Sequence, residues 1–202
     1  MLIIQHRINS IEDLLKIDKN RGVEIDIRSY KNNLILEHEP FLKSLSFESW
    51  LDHFNHKFLI ANIKEERIEY DVIKLLNSKK IKNFFLLDST IPMIHSLNNL
   101  KFYDIALRLS YYESSENFIN LAKNNILNKW LWIDTLNGSF PLTLNRLIQL
   151  KEVGYKLCLV CPQLPLGEEF EIYKFEHKNK NFIKYIDAVC TKNIKFWSKY
   201  EN

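Results

Sequence analysis

The sequence predicts an α/β fold, a compact (β/α)8 barrel filling a single domain over residues 1–202. Three observations carry this expectation. Eight short apolar runs recur along the chain, each of strand length and rich in β-branched or aromatic residues. A polar stretch with helical periodicity follows most of them, the alternation that marks parallel strands with crossover helices. The first and last runs, Leu2 to His6 and Ala188 to Thr191, are both apolar enough to be paired. That favours a closed barrel over an open doubly wound sheet, which would leave two edges.

The intervening runs are Gly22 to Arg28, Phe58 to Lys64, Phe84 to Asp88, Ile105 to Ser110, Trp130 to Thr135 and Lys156 to Cys161. Ser10 with Asp13 reads as a capping box that opens a helix reaching about Asn20, before Gly22. Glu69 to Asn77 is amphipathic. Further helices are expected over Ile91 to Leu100, Glu113 to Asn124, Leu142 to Val153 and Glu168 to Lys178, with Gly154 ending the third of these. Phe47 to Phe54 reads as a short extra helix. It follows a segment, Leu34 to Pro40, that a turn at Asn32-Asn33 would bring back beside the second strand.

Composition narrows the function classes. A net charge of +3 is too mild to argue for a nucleic-acid partner or a membrane surface. No apolar run approaches the roughly 20 residues of a membrane span, and Met1 to Arg7 lacks the order of a signal peptide. With an odd count of 3 cysteines, the expectation is a cytoplasmic protein with no stable membrane insertion. Cys158 and Cys161 have Cys-x-x-Cys spacing, but they lie in a strand, where residues three apart point to opposite faces. They read as core, as does Cys190. Trp130, Trp132, Phe84 and Phe85 read as core filling, although Trp132 shares strand parity with Asp134. The Lys178 to Lys184 run reads as a solvated face. The oligomeric state is left open.

Polar residues gather at the carboxyl ends of the predicted strands, where barrel enzymes keep their chemistry. They are His6 and Arg7, Glu24 and Asp26, Asn62 and Lys64, Asp88, Arg108 and Asp134. Because side chains alternate along a strand, Glu24 and Asp26 share one face while Val23, Ile25 and Ile27 face the helices. Asn62 and Lys64 pair in the same way. Two like charges side by side call for a cation between them, and a hard ion such as Mg²⁺ or Ca²⁺ suits oxygen donors. The alternative is ion pairing with Arg7, Arg28 or Lys64. His6 ends the first strand, and His38 should return to the same end; two imidazoles there suit a general acid and a general base. His53, His56, His95 and His177 read as surface residues.

Taken in order, Gln5-His6-Arg7, Val23-Glu24-Ile25-Asp26, Leu36-Glu37-His38-Glu39 and Ala61-Asn62-Ile63-Lys64 resemble the glycerophosphodiester phosphodiesterase superfamily, which shares the phosphatidylinositol-phospholipase-C-like barrel. The resemblance implies metal-dependent hydrolysis of a small soluble phosphodiester. His6 and His38 would be the catalytic pair, Arg7 and Lys64 would bind phosphate, and Glu24, Asp26 and Asn62 would hold one divalent cation, Mg²⁺ or Ca²⁺. The chain departs from the pattern in three places. Asn62 stands where the family has a carboxylate, with Asp88 on the next strand as a possible substitute. Ile8 stands for a glycine, with only Asn9-Ser10 where the family has a Pro-Glu-Asn turn. The connection from His38 to the third strand is short, leaving little chain for a lid or lipid groove. Alternative expectations are a lyase yielding a cyclic phosphate, a phosphodiester-binding pseudoenzyme, and a barrel with unrelated chemistry.

Overall fold

The computed structural model describes residues 1–124 and 128–201. Its internal contacts divide the chain into two compact units, one of residues Ile4–Ile105 and one of Met1–Ile3 with Ala106–Asn202.

The unit Ile4–Ile105 opens on β1 (Leu2–Gln5), which begins just before it, and continues through α1 (Ile11–Lys16), β2 (Gly22–Tyr30), β3 (Asn33–Leu36), β4 (Leu45–Ser46), α2 (Phe47–Leu51), β5 (Phe58–Ile63), α3 (Glu69–Ser78), β6 (Phe84–Leu87) and α4 (Ile91–Asn99). β1, β2, β5 and β6 run parallel, in the order β1-β2-β5-β6. The register places Glu24 beside Ile60 and Asp26 beside Asn62. Gly22 lies between β1 and β5, where a Cβ would meet Ile4 Cγ1 at 3.0 Å and the Phe58 carbonyl oxygen at 3.1 Å.

The alternation read from β2 is realised. Val23, Ile25 and Ile27 are buried with Ala61 and Ile63 against Leu14 of α1, Phe47 and Trp50 of α2, and Val72 and Leu76 of α3. The helix-facing side of the strands is therefore the apolar core, which leaves the opposite side for Glu24, Asp26, Asn62 and Lys64. α1 begins as expected, with the Ser10 hydroxyl accepting from Asp13 N–H. It stops at Lys16 rather than near Asn20. Asp18 explains the early stop: its side chain accepts from Asn20 N–H and its carbonyl from Arg21 N–H, an alternative to the next helical turn.

β3 returns antiparallel to β2, as expected, but the turn falls one residue earlier than Asn32-Asn33. Tyr30 pairs with Asn33, and Lys31 takes the left-handed φ of 55°. This register buries Ile35 and Leu36. β4 then pairs with β3, so residues 37–44 form a loop between the paired residues Leu36 and Leu45.

The second unit holds β7 (Ala106–Leu109), α5 (Ser115–Lys123), β8 (Trp130–Ile133), α6 (Leu144–Glu152), β9 (Lys156–Val160), α7 (Gln163–Leu166), α8 (Ile172–Ile183), β10 (Ala188–Thr191), α9 (Ile194–Trp197) and a closing 3-10 turn. β7, β8, β9 and β10 are parallel neighbours in chain order. Counted with β1, β2, β5 and β6, the strands that pair in parallel within their own unit number eight among the described residues, the number expected from the sequence. Gly154, at a φ of 100°, follows α6 as foreseen. The three cysteines are buried and take part in no disulfide among the described residues. Trp130 and Trp132 are core residues, and Lys178, Lys180 and Lys184 are exposed on or just after α8.

Candidate active site

In the unit Ile4–Ile105, the carboxyl ends of β1, β2 and β5 bring six of the seven expected residues into one connected group. The chain leaves β1 through His6 and turns at Arg7, whose φ of 57° is unusual for a residue with a side chain. That turn aims the Arg7 backbone N–H at Glu24 Oε2, 2.7 Å away, while Ile8 N–H donates to the Glu24 carbonyl. His6 Nε2 lies 3.8 Å from the same Glu24 oxygen. The other oxygen, Oε1, accepts from the Asn62 amide at 2.8 Å.

Glu24 is fully buried. Burial, reinforced by the negative charge of Asp26, pushes its carboxyl up from 4.5 to about 7, against the opposing pull of the Asn62 amide, the Arg7 N–H and the Lys64 ammonium. Asn62 Oδ1 is buried too and has no hydrogen-bond partner. A buried carbonyl oxygen without a donor is costly, and it stands beside a carboxylate short of positive charge.

Asp26 is better supplied. Arg7 Nε approaches Oδ2 at 3.2 Å and Lys64 Nζ approaches Oδ1 at 3.5 Å. Of the cations weighed as ion-pair partners, Arg7 and Lys64 fill that role. Arg28 does not, since its Nε donates to the His38 carbonyl at 2.9 Å. Lys64 also lies 3.8 Å from Asp88 Oδ2, so Asp88 extends the network through the lysine. Asp88 holds a left-handed φ of 63° just after β6, as Arg7 does after β1. Strained backbone of this kind gathers at functional sites.

Asn9 belongs to the site and was not among the expected residues. Its amide donates to Asp26 Oδ2 at 3.1 Å and its carbonyl accepts from Asp26 N–H at 2.9 Å. This reciprocal clasp ties the β1 exit to β2. The signal in the sequence was an asparagine three residues after His6, in the region where the family turn is missing.

His38 stands differently. Glu37 N–H donates to the Asp26 carbonyl at 3.1 Å, which fixes the base of the 37–44 loop beside Asp26. The His38 ring, however, engages Glu39, with Nδ1 2.6 Å from Oε1, while Glu37 Oε1 accepts from the His38 N–H at 2.9 Å. The imidazole thus makes its hydrogen bond within its own loop, to Glu39. His56 corrects the surface reading. It is buried, its Nε2 lies 3.2 Å from the Ile17 carbonyl, and burial holds its pKa below the ordinary value. His53, His95 and His177 are exposed as expected.

Among the described residues, no three His, Cys, Asp or Glu side chains form a group that could hold a metal. The candidate donors are two carboxylates and one amide. In the other unit, Arg108 and Asp134 pair with each other at the ends of β7 and β8.

No sequence family matches the chain. No curated protein matches it either. Among solved structures it is similar to a glycerophosphoryl diester phosphodiesterase from Parabacteroides distasonis ATCC 8503, with a TM-score of 0.70, 12% sequence identity, and 98% of this chain and 86% of that chain covered. At that identity the likeness speaks for the fold, and it agrees with the resemblance carried by the strand-end residues. In its fold the chain is similar to the glycerophosphodiester phosphodiesterases.

Proposed function

We propose that the chain hydrolyses a phosphodiester with a small, glycerol-like head group, assisted by one divalent cation, Mg²⁺ or Ca²⁺. The observation that carries this reading is the pairing of Glu24 with Asn62. A buried carboxylate, pushed up to about 7, adjoins a buried amide oxygen that lacks a donor. The donor set fits a hard cation: Glu24 and Asp26 supply charge and Asn62 Oδ1 a neutral oxygen, with weaker affinity than three carboxylates would give. When bound, such an ion would balance the charge of the phosphoryl oxygens as the transition state forms.

The protein's own groups have separable tasks. Arg7 and Lys64, anchored on Asp26, are cations available to the phosphoryl oxygens. His6, steered by Glu24, would move a proton at one substrate oxygen. His38, backed by Glu39, would serve the oxygen on the opposite side. The Glu39 contact supports this role because it fixes the orientation of the imidazole ring.

Hydrolysis of bis(4-nitrophenyl) phosphate and of glycerophosphocholine, with and without Mg²⁺ or Ca²⁺, tests the reading. Turnover of neither ester with either ion would end it. Phosphorus NMR of the products separates a hydrolase, which releases a monoester, from a lyase, which leaves a cyclic phosphate. A second reading, a phosphodiester-binding module without turnover, is favoured by Asp26, whose two oxygens are engaged by Arg7, Asn9 and Lys64. Tight binding of a phosphodiester with no product would decide for it.

A further inference from the structure

The loop of residues 37–44 carries a feature that the hydrolytic site does not use. Its base is fixed: Glu37 N–H donates to the Asp26 carbonyl, Arg28 Nε donates to the His38 carbonyl, and β3 and β4 close the loop through the Leu36–Leu45 pair. Its tip is apolar and open to solvent. Phe41 is 96% exposed and Leu42 is 52% exposed. Phe41 also holds a left-handed φ of 67°, a conformation that a bulky side chain adopts only at a cost. The ring lies open to solvent rather than packed against the chain. The combination makes sense where the ring is buried by something outside the chain.

We propose that this loop is an interfacial docking element, which inserts Phe41 and Leu42 among the acyl chains of a lipid surface and so presents a lipid-borne phosphodiester to the site at its base. The inference rests on the proposed function and departs from the soluble substrate expected from the sequence: the head group is the same small one, still attached to its lipid. Two observations favour a lipid over a protein partner or a second copy. Two side chains at the tip of an eight-residue loop cannot bury the roughly 1,200 Å² or more that a stable protein interface requires, whereas a pair of apolar anchors is enough for weak, reversible partitioning. Within residues 40–44 the only charged residue is Lys43, a cation suited to anionic head groups. The acidic neighbours are turned to local work, Glu39 on the His38 ring and Glu37 on backbone N–H groups. Ile91, 76% exposed, stands three residues after Asp88 in the same unit and adds a second exposed apolar side chain beyond a strand end.

The test is cosedimentation of the whole chain with vesicles of phosphatidylcholine containing phosphatidylglycerol. The wild type should partition onto them. The double variant Phe41→Ser/Leu42→Ser should lose about tenfold per side chain removed, while Leu15→Ser, which removes an exposed leucine on α1, should change nothing. Failure of the wild type to sediment would overturn the proposal, as would equal sedimentation of the double variant. So would a dimer in size-exclusion chromatography that the double variant converts to a monomer, since the occupant would then be a second copy. Turnover of dissolved bis(4-nitrophenyl) phosphate is read separately. A chain that hydrolyses it but ignores vesicles defeats the docking alone. A chain that binds vesicles through Phe41 and hydrolyses nothing supports the docking and defeats the hydrolytic reading.

Discussion

Asn62 donates to Glu24 Oε1 at 2.8 Å and leaves its own side-chain oxygen buried with no donor. The amide thereby neutralises part of a buried carboxylate and exposes an unmet need of its own beside it. A third carboxylate at this position would have raised the local negative charge next to Glu24 and Asp26, whereas an amide keeps the cluster tolerable without a metal. This trade should be visible in Asn62→Asp. The variant should bind Mg²⁺ or Ca²⁺ more tightly by calorimetry and, without metal, should melt at a lower temperature than the wild type. Unchanged affinity would remove Asn62 from the ligand set, and equal metal binding by Asp26→Ala would remove Asp26.

Glu24 should make stability depend on pH in a definite direction. Its carboxyl is held up at about 7 against an ordinary 4.5, so between those values the folded chain keeps a proton that the unfolded chain has released. Its contribution is fully present below the unfolded value and is lost as pH rises through the folded one. The melting temperature of the metal-free protein should therefore fall across that window, and this part of the fall should vanish in Glu24→Gln. Excess Ca²⁺ or Mg²⁺ should restore stability at the alkaline end. Superimposable pH curves for wild type and Glu24→Gln would show that Glu24 titrates as it does in water.

His6 and His38 are expected to act as one acid–base pair. Replacing either with alanine should lower kcat roughly 10²- to 10⁴-fold with a smaller effect on KM, and the double variant should lose little more than the worse single one. Each single variant should flatten one limb of the pH–rate profile. Near-wild-type turnover in His6→Ala would leave binding as the function of the site.

Asn9 is expected to matter through Asp26 rather than through substrate. Asn9→Ala removes both bonds of the clasp and takes from Asp26 N–H the acceptor it has in the folded chain. The expected loss is about 1–3 kcal/mol in urea unfolding. Asn9→Asp should fail to rescue it, because the new carboxylate would face Asp26. Rescue by aspartate would show that the clasp is not formed as described.

Gly22 tests the strand packing beneath the site. A methyl group there meets Ile4 and the Phe58 carbonyl at 3.0–3.1 Å, so Gly22→Ala should destabilise the protein by about 1–3 kcal/mol. A neutral effect would mean that β1 and β5 separate freely around β2.

The strand and helix order was legible in the sequence because it follows from periodicity. Val23, Ile25 and Ile27 alternate with Glu24 and Asp26, and burying the first set against the helices leaves the second set no other face. The strand-end residues were legible for the same reason, since Asp26 and Asn62 each fall on the open face of a parallel strand. Elements set by local competition were less legible. The Asp18 turn shortened α1, and strand pairing shifted the hairpin turn by one residue. His56 looked like a surface residue because only the packed chain supplies the Ile17 carbonyl beside its ring. The choice between a cation and ion pairing at Glu24 and Asp26 likewise lay beyond spacing. It turns on which oxygens Arg7, Asn9, Asn62 and Lys64 reach once three strand ends converge, and on burial that pushes the Glu24 carboxyl up. Both are properties of distance and desolvation, which arise only when residues remote in the chain are packed together.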